Sequence, residues 1–128
     1  DMVRTASKGV TLTLFTDEFR CPIPAGALVR ALWELGMQRR PGLYHLGGHE
    51  RLSRWEIGEL VAMRFPELRS SIQPGSVADY QGPPRPPDLS MCSEKIQALL
   101  SFPLPGFRQW LTEHPSESGD PWDYPAAR

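Results

Sequence analysis

The 128-residue chain carries 14 Lys and Arg against 15 Asp and Glu, a formal charge of −1, with a pI near 6.3. That balance argues against a nucleic-acid partner or an anionic membrane surface, and no apolar run approaches the ~18 residues of a membrane span. Two cysteines, Cys21 and Cys92, are too few for a disulfide framework, so a reduced, cytoplasmic setting is expected, with a single bridge left open. The length suits one domain, or a piece of one, with a real core. The polar opening Asp1-Met2-Val3-Arg4 shows no leader and is expected of a processed, trimmed or excerpted chain.

Residues 1–8 read as the end of a helix. Val10 to Phe15 alternates and is rich in β-formers, which predicts a strand with Leu12 and Leu14 on one face. Thr16 to Pro24 follows as an extended segment carrying Asp17, Glu18 and Arg20. A helix is predicted from Ala25 to about Leu35, burying Leu28, Ala31, Leu32 and Leu35, with Gly36 as its C′ residue.

The next stretch, Gly42 to Phe65, organises the rest. Leu43-Tyr44-His45-Leu46 predicts a short strand, and Gly47-Gly48 a sharp turn using positive φ. Ser53 stands three residues before Glu56, the spacing of a capping box. Beyond it Ile57, Leu60, Val61 and Phe65 fall on one helical face, and Pro66 stops the helix. Ser71 to Pro74 reads as a brief extended piece and Gly75 to Asp88 as a proline-heavy loop. Ser93 is expected to cap a helix from Glu94 to Leu100, and Phe107 to Thr112 makes a last helical piece. Pro and Gly together form about a fifth of the chain, clustered at Pro22–Gly26, Gly82–Pro87 and Pro103–Gly106, as turns between apolar-periodic segments. The expected organisation is a lobe over 1–114 and a loosely ordered tail over 115–128, on which Trp122 and Tyr124 could dock back.

Catalytic motifs are missing. There is no nucleophile elbow, no phosphate-binding P-loop and no G-x-G-x-x-G after a strand. His45 and His49 are four apart, but Gly47-Gly48 between them spoils the helix that a zinc-binding pair needs, so no metal is expected. Pro83-Pro84-Arg85-Pro86-Pro87 reads either as a polyproline ligand or as a rigid loop whose arginine faces something local.

The order Asp17–Ile23 (DEFRCPI), a helix, Gly42–Glu56 (GLYHLGGHERLSRWE) and Arg85–Pro103 (RPPDLSMCSEKIQALLSFP) resembles the carboxyl-terminal part of extended short-chain dehydrogenases/reductases. Within them it is most similar to the dTDP-4-dehydrorhamnose reductase branch, over residues 10 to 111. The resemblance implies an α/β fold, a mixed lobe that binds substrate beside a Rossmann half. It also implies that the glycine loop and catalytic Tyr-x-x-x-Lys belong to that amino-terminal half. No tyrosine here has lysine four residues on: Tyr44 precedes Gly48, Tyr80 precedes Pro84 and Tyr124 precedes Arg128. So no catalytic or cofactor-binding residue is expected in this chain, NAD(P)H being implied for the full-length protein.

By resemblance, a nucleotide-sugar ligand would meet Arg85 first and Arg20 second, with Asp17 and Tyr80 on the same loops. A structural role for both arginines, tying loops to backbone carbonyls, stands beside that reading. The implied partners are the missing Rossmann half and, further, a second copy in a homodimer. Two functions follow: the substrate-binding lobe of a nucleotide-sugar reductase or epimerase, or a stand-alone binding or regulatory module derived from one.

Overall fold

The computed structural model describes Thr5 and residues 9–115, so the expectations for residues 1–8 and the tail fall almost wholly outside the described residues. In chain order come β1 (Leu12–Phe15), β2 (Phe19–Arg20), α1 (Ala25–Met37), β3 (Leu52–Ser53) and α2 (Arg54–Arg64). A 3₁₀ turn at Pro66–Ser71, β4 (Ile72–Gly75), a 3₁₀ turn at Val77–Asp79, α3 (Glu94–Gln97) and α4 (Phe107–Glu113) complete it. The class is mixed α/β, as the sequence predicts. β1 pairs in parallel with β4, from Leu12 opposite Ile72 to Phe15 opposite Gly75. β2 pairs antiparallel with β3, Phe19 opposite Ser53 and Arg20 opposite Leu52.

The capping box forms as read. Ser53 Oγ accepts from the Glu56 N–H at 3.1 Å, and Glu56 Oε2 accepts from the Ser53 N–H at 2.7 Å. That second bond, ahead of the nearby guanidiniums, holds the Glu56 carboxyl below its ordinary range. The buried face of α2 differs from the predicted stripe. Its deepest residues are Gly58 and Ala62, while Ile57, Leu60, Val61 and Phe65 are half-buried. A Cβ on Gly58 would stand 2.2 Å from Leu14 Cδ1, so the small residue is what lets α2 lie close on β1. Ala62 and Leu68 centre one core cluster, joined by Leu12, Val61, Phe65 and Ile72.

α1 runs two residues further than expected. Gly36 is inside the helix, and the left-handed residue beyond its end is Arg39, at φ 50°. Only Ala31 is fully buried; Leu32, expected in the core, is 54% exposed. It belongs to an exposed apolar stripe with Val29, Trp33 and Met37, of which Trp33 is 73% exposed.

Leu43–Leu46 is no strand. Its polar backbone is held by side chains instead: Lys95 Nζ donates to the Leu43 carbonyl at 2.9 Å. The next N–H, of Gly47, donates to Ser93 Oγ at 3.0 Å, and Ser93 Oγ donates back to the Gly47 carbonyl at 3.2 Å. Ser93 is thus spent on this clamp and caps nothing, and α3 is shorter than predicted. Neither Gly47 nor Gly48 takes positive φ; among described residues the glycines that do are Gly9 and Gly42. Gly48 is required by close approach, since a Cβ there would stand 2.0 Å from the Pro22 carbonyl oxygen. Tyr44 and Leu46 face the second core cluster, centred on Ala31, Ile96 and Leu104.

Candidate functional site

The site is built where β1 and β2 hand the chain to each other. Parallel pairing brings the end of β4 alongside the end of β1, with Thr16 N–H donating to the Gly75 carbonyl at 2.9 Å. The loop after β4 is then pinned by Asp17. Its Oδ2 accepts from Ser76 Oγ at 2.6 Å and its Oδ1 from the Val77 N–H at 2.8 Å. The hydroxyl first and the N–H second hold this carboxyl below the ordinary value. Asp17 therefore caps the turn Val77–Asp79, whose last neighbour is Tyr80.

Glu18, the next residue, points inward and is 1% exposed. Its Oε1 accepts from Arg20 Nη2 at 2.5 Å and from Arg85 Nη2 at 2.8 Å, with Arg85 Nε at 3.3 Å. Arg20 also donates through Nη1 to the Phe19 carbonyl at 2.7 Å. The two guanidiniums remain 25% and 37% exposed at the side chain, above a carboxylate that water does not reach. Glu18 Oε2 is buried and has no hydrogen-bond partner among the described residues. An oxygen left this way costs about 1–3 kcal/mol, and more when charged.

Arg85 closes the group. Its guanidinium carbon lies 5.4 Å from the Tyr80 ring centroid and 5.7 Å from that of Phe15, and the two rings meet edge to face at 5.7 Å. The bond to Glu18 first, and the Tyr80 hydroxyl second, raise the arginine above its ordinary value, so its charge is fixed. The loop that presents it is tied down at Phe19, the first residue of β2: Phe19 N–H donates to the Pro87 carbonyl at 2.7 Å, and Leu89 N–H to the Phe19 carbonyl at 3.2 Å. Of the two readings of Pro83–Pro87, the structure thus has the arginine bound locally, within its own lobe.

Arg20, Arg85 and Tyr80 are therefore brought together, and Asp17 lies behind them with its oxygens engaged in the loop. Both arginines tie loops to a carboxylate, and Arg20 ties to a backbone carbonyl as well, that of Phe19, which is the structural role the sequence left open beside ligand binding. Glu18 and Phe15 were missed as members of the cluster. The alternation that puts Leu12 and Leu14 on one face lands on Glu18 when carried forward, which is the signal that could have found it.

Other candidates assemble differently. His49 Nδ1 bonds to the Leu104 carbonyl at 2.9 Å, and no group of three His, Cys, Asp or Glu side chains converges among the described residues. A groove of about 530 Å³ lies along α2, lined by Trp55, Glu59, Met63, Arg69 and Arg108 among others, and shares no residue with the arginine cluster. Its guanidiniums are matched by the carboxylates of Glu56 and Glu59, so it has no marked preference for an anion. No helix among the described residues is long and apolar enough to cross a membrane. Among the described residues, the passage from β3 into α2 does not fit a nicotinamide dinucleotide: it has no glycine loop, and the Ser53 hydroxyl already takes an N–H of the helix start.

Comparison with known proteins agrees with this architecture. A crystal structure of dTDP-glucose 4,6-dehydratase from Bacillus anthracis str. Ames, in complex with NAD, superposes with a TM-score of 0.67 at 19% identity. The match covers 88% of this chain and 35% of that enzyme, so the chain spans about a third of its length. At that identity the likeness is one of fold. No curated protein matches the sequence significantly. The family model for the RmlD substrate binding domain matches residues 1–118, and the chain belongs to that family.

Proposed function

We propose that this chain is the substrate-binding portion of an NAD(P)-dependent nucleotide-sugar reductase or epimerase of the dTDP-4-dehydrorhamnose reductase kind, and is not catalytic alone. The observation that carries the reading is the cluster of Arg20 and Arg85 on one buried carboxylate, flanked by Phe15 and Tyr80, in a chain of a substrate-binding family. Guanidiniums give phosphate oxygens paired, charge-assisted hydrogen bonds, and an aromatic edge suits a sugar or base. In this reading Arg85 and Arg20 meet the diphosphate, Tyr80 lies against the sugar side, and Asp17 holds the Tyr80 loop. NAD(P)H and the tyrosine–lysine pair belong to the Rossmann half.

The stripe Val29, Leu32, Trp33 and Met37 supports a Rossmann half as partner, because contiguous exposed apolar side chains mark a contact surface. A stand-alone regulatory module would instead have covered such a patch, so self-association in a sedimentation run favours the detached lobe or an obligate dimer.

Titration of the chain with a thymidine diphosphate-sugar tests the assignment. Saturable binding is expected, with Arg85→Ala weakening it by about tenfold or more; no binding, or an unchanged variant, overturns it. The chain should oxidise no NAD(P)H with a 4-keto nucleotide sugar, and turnover would sink the claim that catalysis resides elsewhere.

A further inference from the structure

Glu18 is unlike the carboxylates that only hold this fold together. Asp17 has both oxygens bonded, to Ser76 and Val77. Glu34 likewise bonds the Ser101 N–H and hydroxyl, one with each oxygen. Glu18 puts two guanidiniums on one oxygen and leaves the other without a partner among the described residues. Two cations on one buried anion leave the group a net positive charge, carried on the guanidinium side. The arginines, in contrast, are open to solvent in part. Arg20 is fixed by bonds from both terminal nitrogens, and Arg85 by Nε and Nη2, leaving Arg85 Nη1 uncommitted to the carboxylate. A ligand anion would therefore meet guanidiniums whose ordering cost is already met.

We propose that Glu18 is a positioning residue that holds Arg20 and Arg85 as one preformed clamp for a phosphate or diphosphate group; this rests on the reading of the chain as a nucleotide-sugar lobe. Glu18 lies beneath the guanidiniums and acts through them without touching the ligand. Its negative charge opposes an anion, but the two fixed positive charges stand between it and solvent.

The test uses inorganic pyrophosphate as probe and the arginine Nε–H resonances of isotope-labelled protein as readout. Both the Arg20 and Arg85 signals are expected to move along one saturation curve. Glu18→Gln should raise the pyrophosphate dissociation constant about tenfold, and Arg20→Lys and Arg85→Lys, which keep the charge and lose the fork, about as much. A Glu18→Gln protein that binds as tightly as wild type or tighter overturns the proposal, since the carboxylate would then compete with the anion. Movement of one arginine signal alone also overturns it. Should Glu18→Gln fail to fold, the wild-type titration and the lysine variants decide: either variant binding like wild type removes the clamp. If both signals move but a thymidine diphosphate-sugar competes no better than pyrophosphate, the clamp stands and the sugar-nucleotide reading falls. Sugar-nucleotide binding that Glu18→Gln leaves untouched does the reverse.

Discussion

Two arginine–carboxylate groups flank the same short strand, and they behave differently. On one side Glu18 is sealed from water and holds Arg20 and Arg85. On the other, Asp88 accepts from Arg51 at 2.8 and 3.1 Å, with both side chains nearly half exposed. Arg51 also lies 3.5 Å over the Phe19 ring, so its stem is packed although its charge is wet. The chemistry is the same and the surroundings are not. A buried carboxylate fixes where its partners stand because releasing them leaves a charge in a dry place. An exposed pair shares its work with solvent and contributes little net stability. Geometry at the candidate site is thus set on the Glu18 side.

Glu18→Ala should break this contrast most severely. It removes the common anion from between two cations and should lower unfolding free energy by roughly 3 kcal/mol, near the low end for a buried pair because the guanidiniums are partly exposed; urea denaturation measures it. Between the two groups stands Ser53, paired with Phe19 and capping α2. Ser53→Ala should cost about 1 kcal/mol and leave the arginine cluster assembled, checked by denaturation together with the Arg85 Nε–H signal. Asp88→Asn should have the smallest effect. The Ser90 hydroxyl, then Arg51 and the Ser90 N–H, hold this carboxyl down to about 2 from 3.8. A depressed folded value means its stabilisation is complete above the unfolded value of 3.8 and is lost as pH falls through about 2. Any gap in denaturation midpoint between wild type and Asp88→Asn should therefore close over that interval. Added salt should shrink the gap at neutral pH while leaving the Glu18 cluster in place.

Local rules reached the parts whose partners are close in sequence. Ser53 and Glu56 needed only each other, and the alternation at β1 and the periodicity of α2 showed a strand and a helix, while the α/β class was what the family resemblance implied. What depended on distant approach was not legible. Gly58 and Ala62 are the buried centre of α2 because they are small, a property that a search for large apolar residues passes over. Leu32 fits a core stripe by spacing, yet among the described residues nothing covers it. Leu43–Leu46 has β-forming side chains, but its backbone bonds go to Lys95 and its glycine neighbour's to Ser93, some 50 residues on. Arg85 and Arg20 came forward through resemblance, whereas Glu18 did not, since an acid beside an acid reads as solvated until its partner 67 residues away is seen.

The parallel pairing of β1 with β4 also orders events in time. It joins positions 60 apart in the chain, as in the bond from Gln73 to Thr13, so closing the sheet carries a loop-closure entropy that a helical turn does not. Contacts of such separation form late and slowly compared with helical turns. The bond between Glu18 and Arg85 spans still more chain and depends on that closure. The candidate site is consequently expected to assemble with sheet closure and not before it, which the Arg85 Nε–H signal followed during refolding would check.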